Sequence, residues 1–136
     1  MSERRLGPAR RALLASEILW SYAVVRRLLR GRPLPDTIAA LRAPRARRAP
    51  RDADRIALGR HLAWATVRTI EPLPLDSRCL VRSLVLTRLL ARRSLASTFV
   101  LSAAPGPRFE AHAWVELDGA PLLQPAGADH QQLVRL

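Results

Sequence analysis

Apolar residues in the first part of the chain recur at three- and four-residue spacing, which is typical of amphipathic helices. The first such stretch runs from Ala9 to Arg30, and Gly31 and Pro33 end it. Its apolar positions are Leu13, Leu14, Ile18, Leu19, Tyr22, Val25, Leu28 and Leu29. Such a helix packs on its own domain or presents a surface to a partner or a membrane, and the sequence leaves both interpretations open.

A short helix that ends at Leu41 and two long helices are predicted next. The first long helix is capped by Asp52 or Asp54 and ends before Pro72. The second long helix runs from about Arg78 to Arg93.

From residue 98 onward the pattern changes to the alternation that is typical of half-buried strands. Strands are predicted at 98–102 and 108–117, and Asp118-Gly119 marks a hairpin that leads into a return strand at 120–124. The last residues, 129–136, form either a final strand or a docking segment. Helices followed by an antiparallel sheet predict an α+β fold.

Length and cysteine content limit the classes of protein and of site. The 136 residues are enough for one buried core, and we expect a helical N-terminal region at 1–71 followed by a core at 72–136. A single cysteine forms no intramolecular disulfide and supplies no CxxC zinc site. The N-terminus lacks a secretory signal, and the most apolar segment, Ala12 to Val25, is shorter than the roughly 20 residues of a membrane span. We therefore expect a cytoplasmic protein that needs no metal or cofactor and has no membrane partner.

The chain is strongly basic, with a net charge of +12 and 23 basic residues, all of them arginine. Positive charge attracts acidic proteins, nucleic acid and anionic membranes. The proline-broken basic segment 42–51 shows no apolar periodicity and is predicted to be an exposed linker. It supplies charge to neutralise phosphates but no aromatic residue to stack on bases. Nucleic acid is therefore a less favoured partner.

Two residues carry candidate chemistry. Cys79, the only cysteine, falls in the first turn of a predicted helix, where free amide N–H groups and the positive end of the helix dipole favour a thiolate and can hold an oxyanion. His112 shares one face of its strand with Trp114, so we expect it to line a surface rather than the aliphatic core. An imidazole within reach of the thiol would take its proton and later protonate a leaving amine. The alternative for Cys79 is a small buried residue that fills a gap in the core.

The chain resembles a known family in two segments, DSRCLVRSLVL at 76–86 and AHAWVELDG at 111–119. Together they resemble the transglutaminase-like cysteine peptidases of lasso peptide biosynthesis, the leader peptidases related to the microcin J25 processing protein. The resemblance implies a papain-like core in which the Cys79 helix packs on an antiparallel sheet that holds His112. It also implies removal of the leader from a lasso precursor peptide, which a separate leader-binding protein delivers. The amine that is released would then be joined to a side-chain carboxylate by a lasso cyclase, a further candidate partner.

Gln124 stands where this family usually places an aspartate that orients the imidazole. Asp118, the nearest downstream acid, lies at the hairpin tip, on the order of 20 Å along the strand from His112. A three-residue hairpin loop would place Gln124 on the His112 face, where its side-chain amide oxygen could accept from the imidazole and hold the tautomer. A two-residue loop would turn Gln124 to the other face and leave a Cys-His dyad.

Two hypotheses follow besides nucleic-acid binding. The first is a leader peptidase whose catalytic residues are Cys79, His112 and Gln124. The second is a catalytically weak or inactive transglutaminase-like scaffold that binds precursor and cyclase. The missing acid at Gln124 favours the second hypothesis, and the cysteine at the start of a helix favours the first.

Overall fold

The computed structural model describes residues 7–43, 52–73, 78–104, 110–127 and 130–136. Within these ranges the chain forms four helices followed by four strands. The helices are α1 (Pro8–Gly31), α2 (Leu34–Leu41), α3 (Asp52–Ile70) and α4 (Arg78–Ala91). The strands are β1 (Thr98–Ala104), β2 (Glu110–Leu117), β3 (Ala120–Pro121) and β4 (Gln131–Arg135). The predicted α+β fold is confirmed, and most of the predicted basic linker lies outside the described residues.

The ends of α1 follow from its backbone chemistry. Pro8 is the first helical residue, where its missing N–H has no intrahelical partner to lose and its ring fixes a helical φ. Arg32 takes an extended conformation, and its N–H bonds to the Leu28 carbonyl at 3.1 Å. The helix is one residue longer at each end than the apolar spacing predicts.

The central element of the fold is α4. Every residue from Ser83 to Leu90 is buried, because α1, α2, α3 and the sheet all contact this helix. In a helix surrounded in this way, buried polar side chains are stabilised by bonds within the protein, and two of them form such bonds. Thr87 donates to the Ser83 carbonyl at 2.8 Å, and Arg88 donates to Ser21 Oγ of α1 at 2.6 Å.

One hydrophobic core joins the N-terminal helices to α4 and the sheet. Among the described residues its buried members are Ile18, Val25, Ile38, Leu41, Leu62, Ala63, Ala65, Ile70, Val81, Leu84, Val85, Leu86, Leu89, Leu90, Leu95, Phe99, Ala113, Val115 and Leu117. The region predicted at 1–71 therefore packs on the same core as the rest of the chain, and α1 packs on its own domain.

The sheet has the strand order β3-β2-β1-β4, and all neighbouring strands are antiparallel. Because side chains alternate along a strand, the β1–β2 pair has two distinct faces. Phe99 lies opposite Val115, and both belong to the helical core. Ser102 lies opposite His112, on the other face, which also carries Trp114. The imidazole thus lies on the face of the sheet opposite to that of Phe99 and Val115.

The C-terminal segment is a strand, which decides between the two alternatives that the sequence leaves open. β4 pairs with β1, and Leu136 and Phe99 exchange main-chain hydrogen bonds of 2.8 and 2.6 Å. The Arg42 guanidinium donates to the main-chain oxygens of Leu136 and Ser97 at 2.9 and 2.7 Å. Burial lowers the pKa of Arg42. These contacts hold the last strand against the loop that follows α2.

The hairpin between β2 and β3 has a two-residue loop. Leu117 pairs with Ala120, and Asp118 and Gly119 between them have φ values of 51° and 81°. Positive φ at both central residues is typical of a type I′ turn, whose twist matches that of the flanking strands. The Arg55 side chain of α3 also donates two hydrogen bonds to the Asp118 carboxylate, at 3.1 and 3.2 Å.

The return strand is shorter than the sequence predicts, because it ends at Pro121 rather than at Gln124. Leu122 still donates to the Val115 carbonyl at 2.8 Å, but the chain then bends at Leu122 and Leu123. Both leucines pack against the helical core. Burial of these apolar side chains therefore competes with strand pairing and ends it.

Gly59 of α3 lies where the hairpin packs on the helices. A Cβ at this position would lie 3.0 Å from Leu117 Cδ2 and 3.1 Å from Leu122 Cδ1. We expect Gly59→Val to lower the free energy of unfolding by about 1–3 kcal/mol, because both leucines must move. Urea unfolding measures the loss, and Ala57→Val, at an exposed position of the same helix, is the matched control. Equal losses in the two variants would show that the close packing at Gly59 is unimportant.

Glu17 ties α1 to the end of α4. Its carboxylate accepts hydrogen bonds from Arg93 at 2.8 and 3.0 Å and from Arg92 at 3.0 Å. Burial raises the pKa of Glu17, but the hydrogen bonds and charges of Arg93 and Arg92 together outweigh it, so the pKa lies below its ordinary value of 4.5. A carboxyl with a lowered pKa stabilises the fold above its ordinary pKa, and this contribution is lost as the pH falls through the pKa of the folded state.

We expect Glu17→Gln to lower the free energy of unfolding by about 1–2 kcal/mol near neutral pH. The difference from the wild type should shrink as the pH is lowered below the ordinary carboxyl pKa, because Glu17 is then protonated in both the folded and unfolded states. Urea unfolding at neutral and acidic pH measures this, with Glu71→Gln at an exposed position as control. A loss that is the same at both pH values would contradict the role of the ion pairs.

Candidate active site

Cys79 is the second residue of α4 and is partly exposed. The first amide N–H groups of a helix have no acceptor within that helix, so donors of the first turn of α4 lie next to this residue. The positive end of the helix dipole is at the same place. Both features suit a thiolate and a developing oxyanion. The predicted capping residues Asp76 and Ser77 lie outside the described residues.

The exposure of Cys79 argues against a cysteine that fills a gap in the core. Ser83, Leu86 and Leu90 follow it at helical spacing and are all 0% exposed, whereas Cys79 lies at the outer end of this buried stripe. Its thiol is free, and it makes no hydrogen bond within the part of the chain that the structure describes. The residue is therefore partly accessible to solvent.

His112 lies near the start of β2, opposite Ser102 of β1. Its ring stacks on the Trp114 ring, with 5.9 Å between centroids and 28° between planes. Both rings are on the face of the sheet that does not join the helical core, as the alternation predicts. The imidazole is half-buried, so one side of it is supported by an aromatic ring while the other reaches solvent.

Gln124 contacts the imidazole through its main chain. The Gln124 carbonyl oxygen lies 2.6 Å from His112 Nε2, and a carbonyl can only accept, so Nε2 carries the hydrogen. In the neutral ring Nδ1 is then the acceptor, which makes it the atom able to take a proton. The sequence left two alternatives open, the side-chain amide of Gln124 as partner or a Cys-His dyad, and the contact that the structure shows is made by the main chain instead. The loop has two residues, and the bend after β3 returns the backbone of Gln124, rather than its exposed side chain, to His112.

A cleft of about 580 Å³ opens beside His112. It is lined by Ala111, His112, residues 124–127 and His130. His130 Nδ1 lies 3.3 Å from Ser102 Oγ, and that hydroxyl donates to the His112 carbonyl at 3.4 Å. Because the Ser102 hydroxyl donates its hydrogen to the His112 carbonyl, it must accept from His130 Nδ1, which therefore carries a hydrogen. In the neutral ring, His130 Nε2 is then the acceptor. Sequence analysis missed His130, because a lone histidine near the end of a chain has no local pattern.

Comparison with protein families decides what kind of protein carries this arrangement. The model of the transglutaminase-like superfamily matches residues 18–135, which is most of the chain. The chain belongs to the transglutaminase-like superfamily. The match starts within α1, so it covers most of the helical region as well as the sheet. No curated protein and no solved structure matches the chain.

Members of the transglutaminase-like superfamily are commonly cysteine peptidases or transglutaminases. In this member the two carboxylates that follow the histidine within the described residues are bonded to arginines. Glu116 pairs with Arg135 and accepts from Trp114 Nε1 at 3.4 Å. Asp118 is bonded to Arg55, as described above. Among the described residues, the main-chain carbonyl of Gln124 is the group that bonds to the imidazole.

The structure brings His112 and Gln124 together, but among the residues it describes no hydrogen bond joins Cys79 to either of them. The described residues contain no group of three or more His, Cys, Asp or Glu side chains that could hold a metal ion. In the same part of the chain, no helix is both long and apolar enough to cross a bilayer. The chemistry that the described groups can perform is proton transfer at His112 and nucleophilic attack by an accessible thiol.

Proposed function

We propose that this protein is a cysteine peptidase that removes the leader from a lasso peptide precursor. Membership in the transglutaminase-like superfamily supports the thiol chemistry. The observation that carries the proposal is the hydrogen bond from His112 Nε2 to the Gln124 carbonyl, because it leaves Nδ1 as a proton acceptor. The resemblance of residues 76–86 and 111–119 to lasso leader peptidases supports the choice of substrate.

The proposed reaction requires the thiol of Cys79, at the N-terminal end of α4, to meet the imidazole of His112. His112 Nδ1 then takes the thiol proton, and the sulfur attacks the scissile carbonyl carbon. Amide N–H groups in the first turn of α4 stabilise the oxyanion that forms. Collapse of this intermediate breaks the C–N bond, and the imidazolium gives its proton to the leaving amine. Water, deprotonated by His112, then attacks the thioester, which releases the carboxylate of the leader and restores the thiol.

The carbonyl of Gln124 changes the rate that we expect. Like the usual aspartate, it holds the ring in place and fixes the tautomer. Unlike a carboxylate, it carries no formal charge to stabilise the imidazolium that forms during attack. We therefore propose an active but slower peptidase, which works with a separate leader-binding protein and hands its product to a lasso cyclase.

The direct test is incubation with a lasso precursor peptide and its leader-binding protein, read by intact mass. We expect two products whose masses sum to that of the precursor plus one water. Omission of the leader-binding protein should slow cleavage. An intact precursor after incubation with both partners would contradict the proposal.

The second candidate function is an inactive scaffold that binds precursor and cyclase. The pairing of Glu116 and Asp118 with arginines favours it, since neither carboxylate is then free to orient His112. A scaffold would bind the precursor without cleaving it. Stoichiometric binding combined with an unchanged precursor mass would therefore select this function over the peptidase.

A further inference from the structure

α1 has a second apolar side that the fold does not cover. Its inner side, with Ile18, Ser21 and Val25, is fully buried against the domain. On the outer side, Leu13 is 71% exposed and Trp20 is 65% exposed. Large apolar side chains that remain exposed as a group, rather than singly, indicate an interaction surface.

The large apolar residues that are exposed on α1 lie together. At 100° per residue, five exposed positions fall within a sector of about 120° along roughly three turns. We call this sector the outer face of α1; it consists of Leu13, Ser16, Leu19, Trp20 and Ala23. Its small residues lie between the large ones, so Leu13, Leu19 and Trp20 project from a convex surface.

The charge of α1 is almost entirely positive. The helix has five exposed arginines and a single acid, Glu17, whose charge is already matched by Arg92 and Arg93. The exposed arginines are Arg10, Arg11, Arg26, Arg27 and Arg30. By the same angular count, Arg27 and Arg30 fall within the sector of the outer face. The partner of this face must therefore accept apolar side chains and carry negative charge nearby.

We propose that the outer face of α1 binds the surface of an anionic phospholipid membrane. Leucine and tryptophan side chains that project from one side of a helix enter the boundary between headgroups and acyl chains, where the indole N–H still reaches polar groups. Guanidinium groups match the geometry of phosphate better than ammonium groups do, and all flanking cations here are arginines. A flat lipid surface fits a convex helix face that has no groove of its own.

This inference does not depend on the peptidase reaction. It differs from the sequence-based expectation that the protein has no membrane partner. The helix would lie on the membrane rather than cross it, since no helix in the described parts of the chain is suited to span a bilayer.

The test uses the full chain and sedimentation with vesicles of phosphatidylcholine that contain about 30% phosphatidylglycerol. We expect binding to these vesicles and little binding to pure phosphatidylcholine, and we expect added salt to weaken it. Trp20→Ser should reduce the partition coefficient by about tenfold, because it removes the largest inserting side chain. The double variant Arg27→Gln, Arg30→Gln should reduce the partition coefficient at low salt, because it removes two positive charges while the apolar residues stay unchanged.

Trp64→Ser is the matched control. Trp64 of α3 is also exposed, at 59%, and is covered on one side by the Arg68 guanidinium at 5.2 Å from the ring centroid. We expect this variant to bind vesicles like the wild type, and thermal unfolding should show that both tryptophan variants are folded. Brominated lipid should quench the fluorescence of Trp20, measured in the Trp64→Phe variant. It should quench the fluorescence of Trp64, measured in the Trp20→Phe variant, only weakly.

Three results would overturn the proposal. The first is no binding to anionic vesicles at low salt. The second is equal binding by the wild type and Trp20→Ser, which would reduce the interaction to charge alone. The third is binding to a duplex oligonucleotide that also depends on Trp20 and exceeds vesicle binding, which would assign the outer face to nucleic acid.

Discussion

Cys79→Ala is expected to abolish cleavage of the lasso precursor, with a loss of about 10⁴-fold or more, because the reaction loses its nucleophile. Folding should be almost unaffected, since Cys79 is partly exposed and makes no hydrogen bond within the described residues. We expect a change in the free energy of unfolding within about 1 kcal/mol. The measurements are the rate of product formation by mass and urea unfolding of the same preparation.

Ser83→Ala is the matched control for this variant. Ser83 lies one turn further along α4, and its buried hydroxyl has no hydrogen-bond partner among the described residues. Removing that oxygen should leave cleavage intact and should not lower stability, because no hydrogen bond is lost. Full cleavage by Cys79→Ala would exclude the thiol mechanism, whereas loss of cleavage in both variants would point to a general disturbance of α4.

Phe99→Ala is expected to lower the free energy of unfolding by about 3–5 kcal/mol. Phe99 is 0% exposed and joins the sheet to the helical core, so its removal leaves a cavity between layers. Because domains of this kind are stable by only about 5–15 kcal/mol, the variant should be close to unfolding at physiological temperature.

The control for Phe99→Ala is Thr98→Ala, the adjacent position, which points to the other face of the same strand and is only half-buried. Urea unfolding should show a loss below about 1 kcal/mol for this control. A loss that small in Phe99→Ala itself would contradict the close packing of sheet and helices.

The helices were predictable because their signals are local. The spacing of apolar residues defines α1 to within one residue at each end, and the helix predicted from Arg78 ends two residues earlier than expected, at Ala91. The turn at Asp118-Gly119 was equally predictable, since its residue types tolerate positive φ. Each of these features depends on a short stretch of chain and on few distant contacts.

Features that depend on packing between distant segments were not predictable from local pattern. The sequence left open whether Gln124 contacts His112, and it did not predict the main-chain atom that makes the contact. That atom depends on the bend at Leu122 and Leu123, and the bend depends on where α3 lies. His130 reaches the cleft only because β4 returns beside β1, a pairing between residues far apart in the sequence.

The proton transfer between Cys79 and His112 is tested most directly by the rate at which iodoacetamide alkylates Cys79, followed by intact mass near neutral pH. Since Cys79 is the only cysteine, each alkylated molecule reports on this sulfur alone. We predict that His112→Ala lowers the rate by about 10²-fold, because the thiol loses its base. In the control His61→Ala, which changes an exposed histidine of α3, Cys79 should be alkylated at the wild-type rate. Equal rates for the wild type and His112→Ala would contradict a thiol–imidazole active site.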